Sequence, residues 1–428
     1  MGPYFPMSRI THPRAPSFLL ACAVFLNGCQ PAENAEVVEF WAFGSEGEVA
    51  RELAGEFERR NPEIRVEVQP IPWSAAHEKL LTAYAGGNLP DVFQLGNTWI
   101  AEFAALRALE DVAARFENTG RKGDYFEGPL DAAVVDGRML AVPWYVDTRI
   151  LFYRRDLLEA AGVAVLPRSW DAWFEAMIRV RERHGDFGLF LPIDAWEVPV
   201  IFAMQQGAVL LRDGNRHGDF LHPDFRAAFD FYLRWFREKL APAETSGQVA
   251  NLYREFGRGY FTALITGPWN LGEFRRRLAD LDASAWDTAP LPSFDGSYPG
   301  VSLAGGASLA LAAGSTRKEA AWKLIEFLTA PPQQIRLYRL TGDLPPGRTA
   351  WTDPALAGDH KAQSFRRQMD RLLPPPKIPE WERIASRIAA YAEKAARGEM
   401  APLGGLEALN DEVDRILEKR RWLLERGR

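Results

Sequence analysis

Residues 37–70, VVEFWAFGSEGEVARELAGEFERRNPEIRVEVQP, predict a strand, a helix and a second strand. The apolar run 37–42 is typical of a buried strand. The following helix begins at a capping-box pattern, residues 45–48, and ends at Asn61 before a proline. Three apolar residues share one face of this helix: Val49, Leu53 and Phe57. Three alternating apolar residues predict the second strand: Ile64, Val66 and Val68.

The same alternation continues along the chain. Residues 74–84 predict a second helix and residues 90–95 a third strand, which leads into another helix. Strands that alternate with helices predict a parallel sheet covered on both faces. An Asp136-Gly137 pair inside residues 134–142 predicts a hairpin.

Joints near residues 144, 290 and 345 divide the chain into two α/β lobes that are joined by several crossing segments. We assign residues 37–143 and 290–343 to an N-terminal lobe, and residues 144–289 and 344–428 to a C-terminal lobe. Each lobe is expected to contain a sheet flanked by helices. Two amphipathic helices, predicted at 381–397 and 405–425, end the chain.

The composition excludes several classes of protein. The chain has 428 residues, of which 47% are hydrophobic and 25% charged, so it is long enough and apolar enough for more than one folded core. The net charge is −6 and the basic residues are scattered, so we expect no nucleic-acid partner. No apolar run approaches the roughly 20 residues that a membrane-spanning helix requires.

The first 28 residues predict a secretory signal peptide. Arg9 and Arg14 precede an apolar stretch at 18–26, and Leu26-Asn27-Gly28-Cys29 resembles the cleavage box of a bacterial lipoprotein. We therefore expect export, acylation of Cys29, and a tether over residues 29–36 that holds a periplasmic or cell-surface protein to the membrane. The other cysteine of the chain, Cys22, leaves with the signal, so we expect no disulfide.

Motifs for catalysis or cofactor binding are absent from the sequence. The chain has no nucleophile elbow, zinc-protease motif, phosphate-binding loop or dinucleotide fingerprint. The histidines after Cys29 are isolated, so we expect neither a metal nor a cofactor. One enzymatic alternative stays open, because Glu46, Asp147 and Glu197 could pair in space as the acid and nucleophile of a glycosidase.

Tryptophan is abundant, with fourteen in the chain, and several stand beside turn residues rather than on helix faces. At a strand end or in a loop, the flat ring of tryptophan can cover the C–H face of a sugar while polar neighbours bind the hydroxyl groups. Four such tryptophans are candidates for a binding site: Trp73, Trp99, Trp196 and Trp269. Trp144, which precedes a tyrosine, is a fifth.

The chain resembles the family 1 extracellular solute-binding proteins, the sugar-binding subunits of bacterial ABC importers such as maltose- and trehalose-binding proteins. Five segments carry the resemblance: FWAFGSEGE at 40–48, LPDV at 89–92, PWYVDT at 143–148, FYRRDLL at 152–158 and GPW at 267–269. The resemblance implies a two-lobed periplasmic-binding-protein fold of type II, with hinge crossovers and a ligand cleft between the lobes.

Matching the motifs residue by residue implies a set of ligand contacts. Two loops after strands contribute Gly44, Ser45 and Glu46, and then Asn97, Thr98 and Trp99. Asp147 matches the hinge acid that binds hydroxyl groups, and Trp269 the stacking tryptophan. The remaining members of the predicted set are Trp73, Trp144, Trp196, Glu197, Asn270, Gly305, Gly306 and Arg348. Each has a structural alternative: Ser45 and Glu46 as helix caps, Asp147 as a partner of hinge amides, and Arg348 as half of a surface ion pair.

The resemblance implies a monomer that captures a di- or oligosaccharide, with an α-glucoside favoured, closes around it and delivers it to ABC transporter permease subunits. Two alternatives remain at this point: a secreted lipoprotein glycosidase, and a binder of a non-sugar solute such as a phosphodiester. The anion binder is less favoured, because the candidate loops contain few basic residues apart from Arg149 and Arg348.

Overall fold

A computed structural model describes residue 2 and residues 35–185, 187–249 and 251–426. The predicted signal peptide, Cys29 and nearly all of the tether lie outside the described residues. None of the helices in the described ranges is long and apolar enough to cross a bilayer.

The described part of the chain forms fifteen strands: β1 Glu36–Phe43, β2 Ile64–Ile71, β3 Val92–Gly96, β4 Val134–Val135, β5 Arg138–Met139, β6 Val142–Asp147, β7 Ile150–Arg154, β8 Phe187–Phe190, β9 Leu211–Arg212, β10 His217–Gly218, β11 Phe261–Thr266, β12 Trp286–Ala289, β13 Ser302–Leu303, β14 Gly305–Leu311 and β15 Leu372–Leu373.

Across the same ranges the chain forms eighteen α-helices: α1 Gly44–Arg60, α2 Trp73–Ala85, α3 Ile100–Ala105, α4 Ala113–Asn118, α5 Glu127–Ala132, α6 Arg155–Ala160, α7 Trp170–His184, α8 Glu197–Gln205, α9 Pro223–Arg237, α10 Leu252–Arg258, α11 Trp269–Arg277, α12 Lys318–Leu328, α13 Pro331–Thr341, α14 Pro354–Ala357, α15 His360–Gln368, α16 Trp381–Ala396, α17 Pro402–Ile416 and α18 Glu418–Glu425.

The larger sheet has the strand order β2-β1-β3-β14-β6. Strands β2 and β3 run parallel to β1, as the alternation of strand and helix predicts. Strand β14 runs antiparallel to both β3 and β6, so the sheet is mixed and the prediction of a wholly parallel sheet is wrong. The reason is topological, because β14 enters this sheet only after the chain has passed through the smaller one.

Helices cover both faces of the larger sheet. Leu53 and Phe57 of α1 pack with Phe40 in one apolar core, while Leu80 of α2 and Phe93 of β3 belong to the core on the opposite face. These residues are almost completely buried. The helical spacing in the sequence therefore identified the face of α1 that packs on the sheet.

The smaller sheet has the order β12-β7-β11-β8, and helices α16 and α17 pack into its principal core. The chain leaves the larger sheet at the end of β6, Asp147, and begins the smaller sheet at β7, Ile150. Strand β6 pairs with β14 of the larger sheet and reaches Asp147, four residues beyond residue 143. We propose that the two lobes follow the two sheets and that their first crossing lies at residues 148–149.

The start of α1 differs from the predicted capping pattern. Helix α1 begins at Gly44, with Phe43 as its N-cap, and no side chain in the described ranges caps it. The side chain of Glu46 lies instead in a network at the end of the sheet, so a tertiary contact replaces the local capping box predicted for residues 45–48.

Candidate functional site

A pocket of about 390 Å³ lies between the two sheets, beside the end of β1, the end of β3 and the crossing after β6. It brings together most of the predicted contacts, from widely separated parts of the chain: Ser45, Glu46, Trp73, Asn97, Thr98, Trp99, Asp147, Trp196, Glu197, Trp269, Gly305 and Gly306. Parallel strands place the loops after their carboxyl ends at the same edge of a sheet, which is where ligands bind in open α/β folds.

Glu46 is the centre of a hydrogen-bond network on the side of the pocket formed by the larger sheet. Its Oε2 accepts from Trp73 Nε1 at 3.3 Å and from Gln94 Nε2 at 3.4 Å, and Ser45 Oγ donates to its Oε1 at 3.3 Å. The carboxylate is therefore held in one position although it is almost completely buried. Gly44 does not line the pocket, but its φ of +53° starts this turn, and a Cβ there would lie 2.4 Å from Trp73.

Aromatic rings form the wall next to this network. The rings of Trp73 and Trp99 meet edge to face at 5.5 Å, and Phe43 supports Trp73 from below at 5.4 Å. Trp73 has 37% of its surface exposed, so an apolar face of this ring remains free for contact. Such a wall can cover an apolar ligand face.

On the opposite side, Arg149 links three pocket residues. Its guanidinium donates to Asp147 and, at 2.7 Å, to Glu197 Oε1, and it lies 4.7 Å from the ring centroid of Trp269. Burial raises the pKa of Asp147, while the positive charge of Arg149 acts in the opposite direction. Arg149 thus provides the counter-charge that two partly buried carboxylates need.

The orientation of Trp269 depends on the glycine two residues earlier. A Cβ built on Gly267 would lie 1.8 Å from the ring of Trp269, so only glycine allows the indole to fold back over the backbone. The residue lines the pocket and still has 43% of its surface exposed. The Gly-Pro-Trp motif thus has a steric basis.

Asn97 lines the pocket, and both the nitrogen and the oxygen of its amide bond to the protein. Its Nδ2 donates to Gly305 O at 3.0 Å, and its Oδ1 accepts from Ser308 Oγ at 2.8 Å. These bonds fasten the short turn Asn97–Trp99 to β14. Asn97 therefore positions Trp99 within the wall.

Three other predicted residues lie away from the pocket lining. Trp144 is completely buried and packs against Phe40 in the sheet core. Asn270 is buried too, and donates to Thr266 Oγ1 at 2.7 Å. Arg348 forms an ion pair with Asp370 and lies over the ring of Phe126 in a separate groove, an arrangement that favours the surface-ion-pair alternative.

The pocket also contains residues that the sequence analysis missed. The chemically important ones are Tyr145, Arg149 and Asp343; the others are Gly96, Pro268, Leu303 and Pro375. Arg149 follows the predicted hinge acid by two residues, and Asp343 lies in the Pro/Gly-rich joint 341–347, so both were adjacent to recognised signals. Only the tertiary structure shows that their side chains turn inward.

The chemistry of this pocket suits recognition of hydroxyl groups on an apolar frame. Carboxylates accept hydrogen bonds from hydroxyls, Arg149 donates, and indole faces cover C–H surfaces. Among the described residues, no group of three or more His, Cys, Asp or Glu side chains is arranged to hold a metal ion.

His77 on α2 provides a pH-dependent contact behind the aromatic wall. Its Nε2 lies 2.6 Å from Glu102 Oε2 and its ring packs on Trp99 at 4.9 Å. The hydrogen bond to Glu102 raises the pKa of His77 against the opposing effect of burial, with further contributions from the charges of Glu102, Glu382 and Glu78.

We expect the stabilising effect of protonated His77 to be complete below its unfolded pKa of about 6.5 and to disappear as the pH rises through the higher folded value. Thermal unfolding at pH 6 and pH 8 measures this contribution. The loss of stability between pH 6 and pH 8 should be smaller in His77→Gln than in the wild type. Glu102→Gln removes the main cause of the raised His77 pKa and should reduce the loss in the same way. An unchanged loss in both variants would contradict the assignment.

The sequence profile of bacterial extracellular solute-binding proteins matches residues 43–335. The sugar-binding protein MalE of Xanthomonas citri has a similar structure, with 43% sequence identity, a TM-score of 0.88, and coverage of 91% of this chain and 99% of that one.

Two further relatives are more distant. The diacetylchitobiose binding protein DasA of Streptomyces coelicolor is 26% identical over 376 residues, covering 86% of each chain. Maltose-bound MalE3 of T. maritima is 26% identical with a TM-score of 0.73, covering 89% of this chain and all of that one. The profile match, the two-sheet fold and the pocket between the sheets agree: the chain belongs to the bacterial extracellular solute-binding proteins, a family of binding proteins rather than enzymes.

Proposed function

We propose that this protein is the substrate-binding subunit of an ABC importer and that it captures a carbohydrate in the pocket between its two lobes. The observation that carries the proposal is the lining of the pocket. Indole rings stand on both sides, Trp73 and Trp99 opposite Trp196 and Trp269, with carboxylates between them. Relatives described as binding sugar, diacetylchitobiose and maltose support the same ligand class.

The size and charge of the pocket narrow the choice of ligand. A volume of about 390 Å³ is at the lower end of the range for small-molecule sites and suits a disaccharide or the end of an oligosaccharide. We favour an α-glucoside because the similar MalE3 of T. maritima is described as maltose-bound. A phosphodiester is not favoured, because Arg149 is already paired with Asp147 and Glu197.

Ligand capture is expected to work by hinge closure without chemistry. Residues from both lobes line the pocket, so a saccharide that contacts both sides stabilises the closed arrangement. A ligand that binds the closed form about 10⁴-fold more tightly than the open form moves an equilibrium from 1:99 to 99:1. The closed form, as a monomer, then delivers the ligand to the permease subunits.

We further propose that Cys29 is acylated and that the lipid holds the protein at the membrane, with residues 29–36 as a tether. The lipoprotein-like sequence before Cys29 supports this, together with the extracellular family. Several acyl chains provide a stable anchor without a spanning helix, since each buried CH₂ contributes about 0.8 kcal/mol.

Calorimetric titration of the chain from Gln30 onward tests the proposed function. Maltose, trehalose, maltotriose and diacetylchitobiose are titrated separately, and the sugars are analysed afterwards. We expect saturable binding of at least one sugar that is recovered intact. Absence of binding across this set would overturn the carbohydrate proposal, and cleaved sugar would restore the glycosidase alternative.

A further inference from the structure

Two acidic side chains from distant parts of the sequence meet at the inner wall of the pocket. Glu46 lies in the first turn of α1, and Asp343 follows the end of α13. Both are more than nine-tenths buried, at 3% and 6% exposure, and both line the pocket. The carboxyl of Asp343 lies beside that of Glu46, close enough for the two to share a hydrogen bond.

Neutral groups and other acids surround this pair. The donors to Glu46 are Trp73, Gln94 and Ser45. Within the described residues, Oδ2 of Asp343 is buried and has no hydrogen-bond partner. A buried polar atom without a partner is costly, and a ligand hydroxyl group bound at this wall can supply the missing hydrogen bond.

The other charged and titratable groups that face the pair come from β6 and the first crossing. Strand β6 contributes Tyr145 and Asp147, and the crossing contributes Arg149, which is already bound to Asp147 and Glu197. Two adjacent buried carboxylates without a cation of their own cannot both be ionised at low cost. Burial, followed by the charge of Glu46, raises the pKa of Asp343 well above its usual range.

The backbone holds Asp343 in this position. The amide of Asp343 donates to Thr341 Oγ1 at 3.1 Å, and the next residue, Leu344, accepts from Val146 N at 2.8 Å. The joint is thereby fastened to β6, the strand that also supplies Tyr145 and Asp147. The inward direction of Asp343 is thus a consequence of the hinge structure.

We infer that Asp343 is a ligand-binding residue, that it carries the one proton of the Asp343–Glu46 pair and donates it to one hydroxyl group of the ligand, and that Glu46 accepts a hydrogen bond from the adjacent hydroxyl group. This inference rests on the proposed function. A protonated carboxyl beside an ionised one offers both partners that a vicinal diol needs. The same pair, lacking a cation, disfavours sugars with a carboxylate or phosphate at this end of the pocket.

Titration of maltose and trehalose into the wild type, Asp343→Leu and Asp343→Asn tests the contact. We expect leucine to weaken binding at least tenfold, because it leaves a sugar hydroxyl unpaired, and asparagine to weaken it less. Asp287→Asn is the matched control, since Asp287 is buried outside the pocket lining and its loss should leave affinity unchanged. Unchanged affinity in the leucine variant would overturn the ligand contact.

Thermal unfolding of the ligand-free protein from pH 5 to pH 9 tests the shared proton independently. A carboxyl with a raised folded pKa stabilises the fold at low pH, and this contribution is lost as the pH rises through the folded value. Asp343→Asn removes that loss, so its melting temperature relative to the wild type should rise by roughly 2 °C or more across this range. A constant difference would overturn the shared proton.

The two experiments, sugar titration and thermal unfolding, separate a failure of this inference from a failure of the proposed function. If the wild type binds neither maltose nor trehalose nor any other sugar of the set, the proposed function and the ligand contact both fail, while the unfolding arm still decides the shared proton. If the wild type binds sugar and Asp343→Leu binds equally well, the inference alone fails.

Discussion

Trp269→Ala is expected to weaken saccharide binding about 30-fold or more, equivalent to roughly 2 kcal/mol, while thermal stability changes little. The indole lines the pocket, its ring centroid lies 4.7 Å from the guanidinium of Arg149, and 43% of the residue's surface is exposed. Its removal therefore costs contact with the ligand more than packing in the fold. Calorimetric titration of the tightest-binding sugar of the set measures the loss of affinity.

Trp422 on α18 provides a matched control for that variant. It has 44% of its surface exposed and carries the guanidinium of Arg426 over its ring at 4.2 Å, much as Trp269 carries that of Arg149. It lies outside the pocket lining. Trp422→Ala should leave affinity unchanged; equal losses in both variants, or none in Trp269→Ala, would contradict a role for Trp269 in binding.

Trp144→Ala is expected to lower the free energy of unfolding by about 3–5 kcal/mol, because it leaves a large cavity in the core of the larger sheet. The indole is completely buried and meets Phe40 edge to face at 6.0 Å. Denaturant unfolding measures the change. At a temperature where the variant is folded, the affinity for sugar should stay within a few-fold of the wild type.

Trp144→Phe separates lost packing from lost polarity. Within the described part of the chain, Nε1 of Trp144 is buried without a hydrogen-bond partner, so phenylalanine removes an unsatisfied donor while it keeps an aromatic ring. We expect a clearly smaller loss of stability than for alanine. A loss of affinity in the alanine variant without destabilisation would return Trp144 to the binding site, where the sequence analysis had placed it.

Local patterns predicted the larger part of the fold. The spacing of Val49, Leu53 and Phe57 identified α1, and Asp136-Gly137 identified the turn between β4 and β5. Both signals depend on residues close in sequence, so the sequence alone could predict them. The antiparallel direction of β14 could not be predicted in this way, because strand direction within a sheet depends on the path of the whole chain.

The sequence predicted pocket residues correctly where a tryptophan or an acidic residue stands at a turn or at the end of a strand. Trp73, Trp99, Asp147 and Trp269 all line the pocket, and each stands next to a turn or a strand terminus. Trp144 has the same residue type and a similar neighbourhood but is completely buried against Phe40 in the sheet core, whereas the next residue, Tyr145, lines the pocket. Successive side chains of a strand alternate between faces, and the sequence alone does not say which face is the pocket.

The sequence by itself determined the two-lobed α/β class, the family, and the loops from which binding residues come, because these depend on hydrophobic periodicity and on short motifs. Only the tertiary structure decided that Arg149 binds Asp147 and Glu197 together, and that Asp343 meets Glu46 across almost three hundred residues of chain. Charge pairing and desolvation depend on distances in space and on burial, and neither quantity is contained in local sequence.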